Sequence, residues 1–271
     1  MTTASFPPPR TLLFLPANRE RAVAKARESS AEMIFLDLED AVAADAKDAA
    51  REAAVAAVAQ DFHRPVAIRM NVVGSAPHSA DVAAIAGSRA SHAILPKAED
   101  PGIVSEVAAA VAKPLMVMIE TPRGVLNADR IAALPGVVAL IAGTNDLRAE
   151  LGIPAGAGRE HIAMGLQAIV LAARANGVWA IDGVFNALED AAGLEAECRH
   201  GRAMGYDGKT LIHPDQIAIA ARAFGPSDAE IEEAQALVEA ATGGAERFRD
   251  RMIEAMHVDA ARTLLARAGT P

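Results

Sequence analysis

Residues 115–124 read "LMVMIETPRG". Five apolar residues, Leu115 to Ile119, run without interruption, end on a bare carboxylate, Glu120, and are followed at once by Thr121 and Pro122. A strand with one wet face alternates apolar and polar residues. An unbroken apolar run of this length belongs to a strand covered on both faces, as in parallel sheets flanked by helices. The acid at its end is either the chain surfacing or a group that holds something. Pro122 is read as fixing a tight turn there instead of opening the end to solvent.

The same pattern recurs outward in both directions. Before this stretch come "TLLFLPA" (11–17), "MIFLDL" (33–38), "PVAIRMN" (65–71) and "HAILPK" (92–97). After it come "VVALIAG" (137–143), "VWAIDGV" (178–184) and "GKTLIH" (208–213). With "PLMVMIE" (114–120) the count is eight strands. Helical stretches lie between them, among them 19–29, 46–59, 159–176, 188–203 and 214–223. That alternation is an α/β chain on the plan of a (β/α)8 TIM barrel. An open doubly wound sheet built for a dinucleotide would carry a Gly-rich loop after its first strand, and "LPANRER" has none.

The barrel is expected over residues 1–225 and a C-terminal helical extension over 226–271, packing on the barrel or on a neighbouring subunit. Ser227 followed by Glu230 is a capping-box pattern for the first helix of that extension. "MIEAMHVDAARTLLARAG" (252–269) reads as a second, amphipathic helix.

Composition narrows the function. The 271 residues are 52% hydrophobic and 23% charged, enough to bury a core and unlike a disordered chain. A net charge of −9 and an aromatic fraction of 3% argue against nucleic-acid partners and anionic membranes. No apolar run approaches the roughly 20 residues of a membrane span. The opening "MTTASFPPPR" has no basic stretch followed by an apolar one, so no secretory signal is expected. The lone Cys198 forms no disulfide framework and no cysteine metal site; the expectation is an inert thiol in a reducing cytoplasm.

In such barrels ligands bind at the C-terminal ends of the strands. Polar residues gather there: Asn18 and Arg19, then Asp37, Glu39 and Asp40, then Arg69 and Asn71, Lys97 and Glu99, Glu120, Asn145 and Asp146, Asp182, Asp207 and Lys209, and His213. So many carboxylates would repel one another unless a cation sat among them. Oxygen ligands select Mg²⁺, Ca²⁺ or Mn²⁺, and with no HExxH, CxxC or His pair zinc is disfavoured. Glu120 and Asp146, on adjacent strands, are the natural pair for Mg²⁺; the bland alternative for Asp146 is a helix cap. Arg69, a cation between Ile68 and Met70, either pairs with the strand 2 acids or clamps a substrate carboxylate.

Eight ordered motifs carry a resemblance: "RTLLFLPANRERAVAKA", "FLDLEDAVAADAKDAAR", "IRMN", "LPKAED", "IETPRG", "GTNDLRAELG", "IDGVF" and "GYDGKTLIHPDQ", over residues 10 to about 220. The chain resembles the citrate lyase β-subunit/malyl-CoA lyase family of Mg²⁺-dependent acyl-CoA lyases, including citramalyl-CoA lyases. The resemblance implies cleavage of a short β-hydroxyacyl-CoA of citramalyl, malyl or citryl type to a keto acid and acetyl-CoA. It implies Glu120 and Asp146 as Mg²⁺ ligands, Arg69 on the keto-acid carboxylate and enolate, and Glu39 and Asp40 just outside the metal's ligand shell. It also implies Arg19 and Lys25 toward the CoA phosphates, and a homo-oligomer, trimer or hexamer. Two departures stand out. The family's "ED" before the Leu that opens "LRAELG" is Asn145-Asp146 here. Near the C-terminus Arg249 replaces the family's acid, leaving Asp250 as the candidate catalytic acid. The alternatives are a citrate lyase β subunit acting on an acyl-carrier-protein thioester, a CoA thioesterase, or a class II aldolase.

Overall fold

The computed structural model describes residues 7–269. The stretch read for a secretory signal falls largely outside the described residues. Eight strands, β1 (Thr11–Pro16), β2 (Met33–Asp37), β3 (Val66–Arg69), β4 (His92–Leu95), β5 (Leu115–Ile119), β6 (Val137–Ala142), β7 (Trp179–Asp182) and β8 (Gly208–Leu211), form a closed parallel barrel in chain order. The last strand returns to the first, with Leu12 opposite Thr210. This is the (β/α)8 TIM barrel expected from the sequence.

The helices are α1 (Glu20–Glu28), α2 (Lys47–Val58), α3 (His78–Gly87), α4 (Pro101–Val111), α5 (Pro122–Ala132), α6 (Thr144–Glu150), α7 (Ala163–Asn176), α8 (Ala191–Met204) and α9 (Gln216–Phe224). Thr121-Pro122 is not a tight turn but a helix start. The Thr121 hydroxyl accepts from the Gly124 amide at 3.0 Å, and Pro122 takes the first helical position, where its missing N–H costs nothing. Asp100 and Pro101 open α4 the same way.

Alternation along the strands decides what faces inward. The barrel interior holds Leu12, Met33 and Phe35, Ala67, Ile94, Met116 and Met118, Ala139 and Ile141, and Ile181, all buried. One more step of two along the same faces gives Asp37, Arg69, Glu120 and Gly143. The polar mouth is therefore the top layer of the apolar stack. Asp182 and Lys209 have the opposite parity and point into the helical layer.

At the other end of the interior, His92 sits 6.0 Å from the Trp179 ring, and burial pushes its imidazole down to about 4. An unfolded His titrates near 6.5, so the unfolded chain gains protons first as pH falls. Stability from the neutral ring is complete above pH 6.5 and is lost on acidification toward pH 4, by about 3 kcal/mol. Urea unfolding of wild type and His92→Gln should diverge by that amount between pH 7 and 4; parallel pH profiles would contradict the assignment.

The chain divides into two compact units between Ala220 and Ala221. The second contains α10 (Asp228–Ala240), a hairpin of β9 (Glu246–Phe248) and β10 (Arg251–Ile253), and α11 (Ala255–Ala268). The Ser227–Glu230 capping box forms as read. Met252 and Ile253 are not helical as expected. They pair with Arg247 and Glu246, and Ile253 enters a small core with Leu237, Phe248, Val258 and Leu265. Among the described residues no helix is long and apolar enough to cross a membrane.

Candidate functional site at the barrel mouth

A cleft of about 370 Å³ opens at the C-terminal ends of the strands, lined among others by Asp37, Asp40, Arg69, Glu120, Asn145 and Asp146. Arg69 is its buried cation. Asp37 and Arg69 are register partners on β2 and β3, so the sheet itself places them side by side. Arg69 Nε and Nη2 donate to the two Asp37 oxygens, each at 2.7 Å. Nη1 lies 2.8 Å from Glu39 Oε2 and 3.5 Å from Asp40 Oδ2. The guanidinium also stands 5.0 Å from the Phe14 ring. Burial works against its charge, and Asp37, Glu39 and Asp40 outweigh burial and raise its pKa. Asp37 likewise is held below its ordinary value by Arg69 despite burial.

Asp37 also shapes the loop behind it, accepting from the Glu39 amide at 2.9 Å and the Ala41 amide at 3.0 Å. Lys47 ties the same loop down through the Leu38 and Glu39 carbonyls. Glu39 is buried, and its Oε2 makes no hydrogen bond, the Arg69 contact lacking the geometry for one. Burial pushes its carboxyl up to about 8, with Arg69 pulling the other way and Asp40, Glu120 and Asp37 adding to the rise.

Glu120 is 1% exposed. Burial pushes it up to about 7, against a hydrogen bond from the Lys97 amide and with Asp146 raising it further. It nests against Gly143, where an added methyl would lie 2.2 Å from Glu120 Cβ. Asp146 is not a helix cap: Gly143 occupies that position without a side-chain cap, and Asp146 sits in the first turn of α6. One residue touches both acids. The Lys97 amide donates to Glu120 Oε1 at 2.7 Å, and Lys97 Nζ stands 3.5 Å from Asp146 Oδ1. Lys97 does this from a left-handed backbone, φ +47°, which costs a non-glycine residue roughly 1–2 kcal/mol. At the rim, Asn145 and Asn186 exchange side-chain hydrogen bonds, at 2.8 and 3.4 Å.

Several barrel residues expected at the mouth lie elsewhere. Asp182 is fully buried between Lys209 (3.1 Å) and Arg159 (2.6 Å) on the outer face of the barrel, where Lys209 also meets Glu197 at 2.6 Å. Asp207 pairs with Arg174 at 2.9 Å, and the Asn71 side chain turns to Asp81 of α3 at 2.6 Å. Arg19 and Lys25 are exposed on α1 and do not line the cleft. Asp250 is exposed at the hairpin turn of the second unit, beside Arg249 at φ +55°. Cys198 is buried and its thiol is pushed up to about 12, as expected of an inert group. Asp37, the anchor of Arg69, is one of the strand 2 acids with which the sequence allows Arg69 to pair, though not one of the residues expected to act. Its parity with Met33 and Phe35 is the sequence signal that marks it.

Fold and mouth together define a (β/α)8 barrel with an acid-rich cleft at its strand C-termini. The chain belongs to the HpcH/HpaI aldolase/citrate lyase family, whose pattern spans residues 10–214. It is 43% identical over 271 residues to the (3S)-malyl-CoA thioesterase of Cereibacter sphaeroides, covering 96% of this chain and 95% of that one. A citrate lyase subunit beta-like protein of Deinococcus radiodurans is 35% identical over 274 residues, covering 95% and 96%. The structure of CitE from Mycobacterium tuberculosis in complex with magnesium, acetoacetate and coenzyme A superposes with a TM-score of 0.87 at 35% identity, covering 96% and 98%.

Proposed function

We propose that this chain is a Mg²⁺-dependent enzyme of short β-hydroxyacyl-CoA thioesters, of malyl, citramalyl or citryl type, and that it cleaves the C–C bond to a keto acid and acetyl-CoA. The observation that carries the reading is one cleft holding two acids bridged by Lys97, Glu120 and Asp146, together with a braced arginine. Among the described residues no three His, Cys, Asp or Glu side chains gather as a metal cage. Two carboxylates suit Mg²⁺, which takes one or two and completes its octahedron with water and substrate. The mouth counts five acids, Asp37, Glu39, Asp40, Glu120 and Asp146, against two cations, Arg69 and Lys97, and a divalent ion redresses that excess.

In this reading Glu120 and Asp146 would hold the ion, which would supply Lewis-acid polarisation of the oxygen that is hydroxyl in the substrate and carbonyl in the product. Arg69, with two of its five N–H groups taken by Asp37, offers remaining donors to the substrate carboxylate and to the enolate oxygen. The two Asp37 bonds keep its plane fixed, and Glu39 and Asp40 place their charges beside it. Asp250, which the C-terminal extension of a neighbouring subunit would bring to the mouth, is the acid we assign to protonation of the thioester enolate. Arg19 and Lys25 are assigned to the CoA phosphates.

A second reading, hydrolysis of the thioester, is favoured by the 43% identity to a malyl-CoA thioesterase. Purified protein with Mg²⁺ and each of the three thioesters separates the two. Keto acid formed without free thiol is the expected result, and Asp250→Asn should slow it. Free thiol without keto acid would replace cleavage by hydrolysis, and neither product from any thioester would sink both.

A further inference from the structure

Lys97 is a lysine in a conformation that favours glycine, at a point where its backbone and its side chain reach different acids. Its amide is 2.7 Å from Glu120 Oε1, and its ammonium is 3.5 Å from Asp146 Oδ1. The left-handed φ of +47° turns the amide toward Glu120 directly after β4. The acids stand just past β5 and at the start of α6, so this residue of a third strand end spans the gap between them. The ammonium is partly exposed, 38% of its side chain, and so sits on the solvent side, free to swing away on its four-carbon stem.

We propose that Lys97 is the positioning residue of the cation site: its backbone amide aims Glu120, and its ammonium occupies Asp146 as a placeholder that a divalent cation must displace. This rests on the reading of Glu120 and Asp146 as the cation's ligands. The two roles separate by chemistry. The amide is kept in any variant other than proline, whereas the charge is lost in Lys97→Met and Lys97→Gly and kept in Lys97→Arg. Lys97→Gly also relieves the left-handed backbone, so agreement between the Met and Gly variants assigns the effect to charge and not to strain.

The test is calorimetric titration of Mg²⁺ and Mn²⁺ into the metal-stripped protein, with no substrate present. Lys97→Met and Lys97→Gly should each bind about tenfold more tightly than wild type, the size of a repulsion between like charges a few ångströms apart in a water-like dielectric. Lys97→Arg should stay within about twofold of wild type. Their advantage should shrink in high salt, because the ammonium is exposed enough to be screened. Equal or weaker binding by the two neutral variants, in a wild type that binds the ions, would overturn the placeholder role while leaving the metal reading in place. A folded wild type that binds neither ion would overturn both.

Discussion

Glu120→Gln or Asp146→Asn is expected to lower Mg²⁺-dependent turnover by roughly a thousandfold, since several kcal/mol of Lewis-acid stabilisation convert at about 1.4 kcal/mol per factor of ten. The fold should survive both changes. Gln at 120 keeps the shape and still offers an oxygen to the Lys97 amide, now at 2.7 Å from Glu120 Oε1. It also removes a buried charge that burial already pushes toward protonation, so the melting temperature without metal should hold or rise. A site that gains stability when its chemistry is removed is the usual mark of strain kept for function. Steady-state rates over a Mg²⁺ titration, beside thermal melts in chelator, give the answer. Turnover within tenfold of wild type in either variant would mean that the metal pair is misassigned.

The second large effect belongs to Asp37 and Arg69. Arg69→Lys replaces a planar fork by a point charge that cannot hold both Asp37 oxygens and a substrate oxygen together, and kcat/KM should fall by about a hundredfold or more. Asp37→Ala acts differently. It leaves a guanidinium, 7% exposed, without its bidentate partner, and a buried pair broken from one side costs about 3–5 kcal/mol. Chemical denaturation should therefore separate the two: a modest loss for Arg69→Lys and a large one for Asp37→Ala. Equal stability of Asp37→Ala and wild type would show that Glu39 and Asp40 alone can carry the Arg69 charge.

Much of this was written in the strands. "LMVMIE" and most of its seven companions are apolar on both faces, and only a sheet wrapped by helices asks for that. The ordering of Glu120, Asp146 and Arg69 around the mouth follows once the strands are counted. The same double-sided apolarity hides which way a polar end residue points. Asp182 and Asp37 both end strands, yet one faces Lys209 outside the barrel and the other Arg69 within. Only parity along the strand tells them apart: Asp37 keeps step with Met33 and Phe35, and Asp182 is out of step with Ile181. Thr121-Pro122 could be read as a turn or a helix start because proline fits both. The hairpin at 246–253 was illegible for a different reason. Its strands are three residues each, and "ERF" and "RMI" alternate over too short a length to outweigh the helical pattern that follows. The left-handed Lys97 has no sequence signature at all.

The close approach of Gly143 to Glu120 bears on how this mouth can change over evolutionary time. Position 143 contributes no side chain, yet any side chain there would collide with the first carbon of Glu120. The two positions are thus sterically coupled. Enlarging residue 143 would displace Glu120 without changing it, and because the clash is with Cβ, no smaller side chain at 120 other than glycine would relieve it. Glycine just past β6 is in this sense the room that any side chain just past β5 needs, the Glu120 carboxylate included.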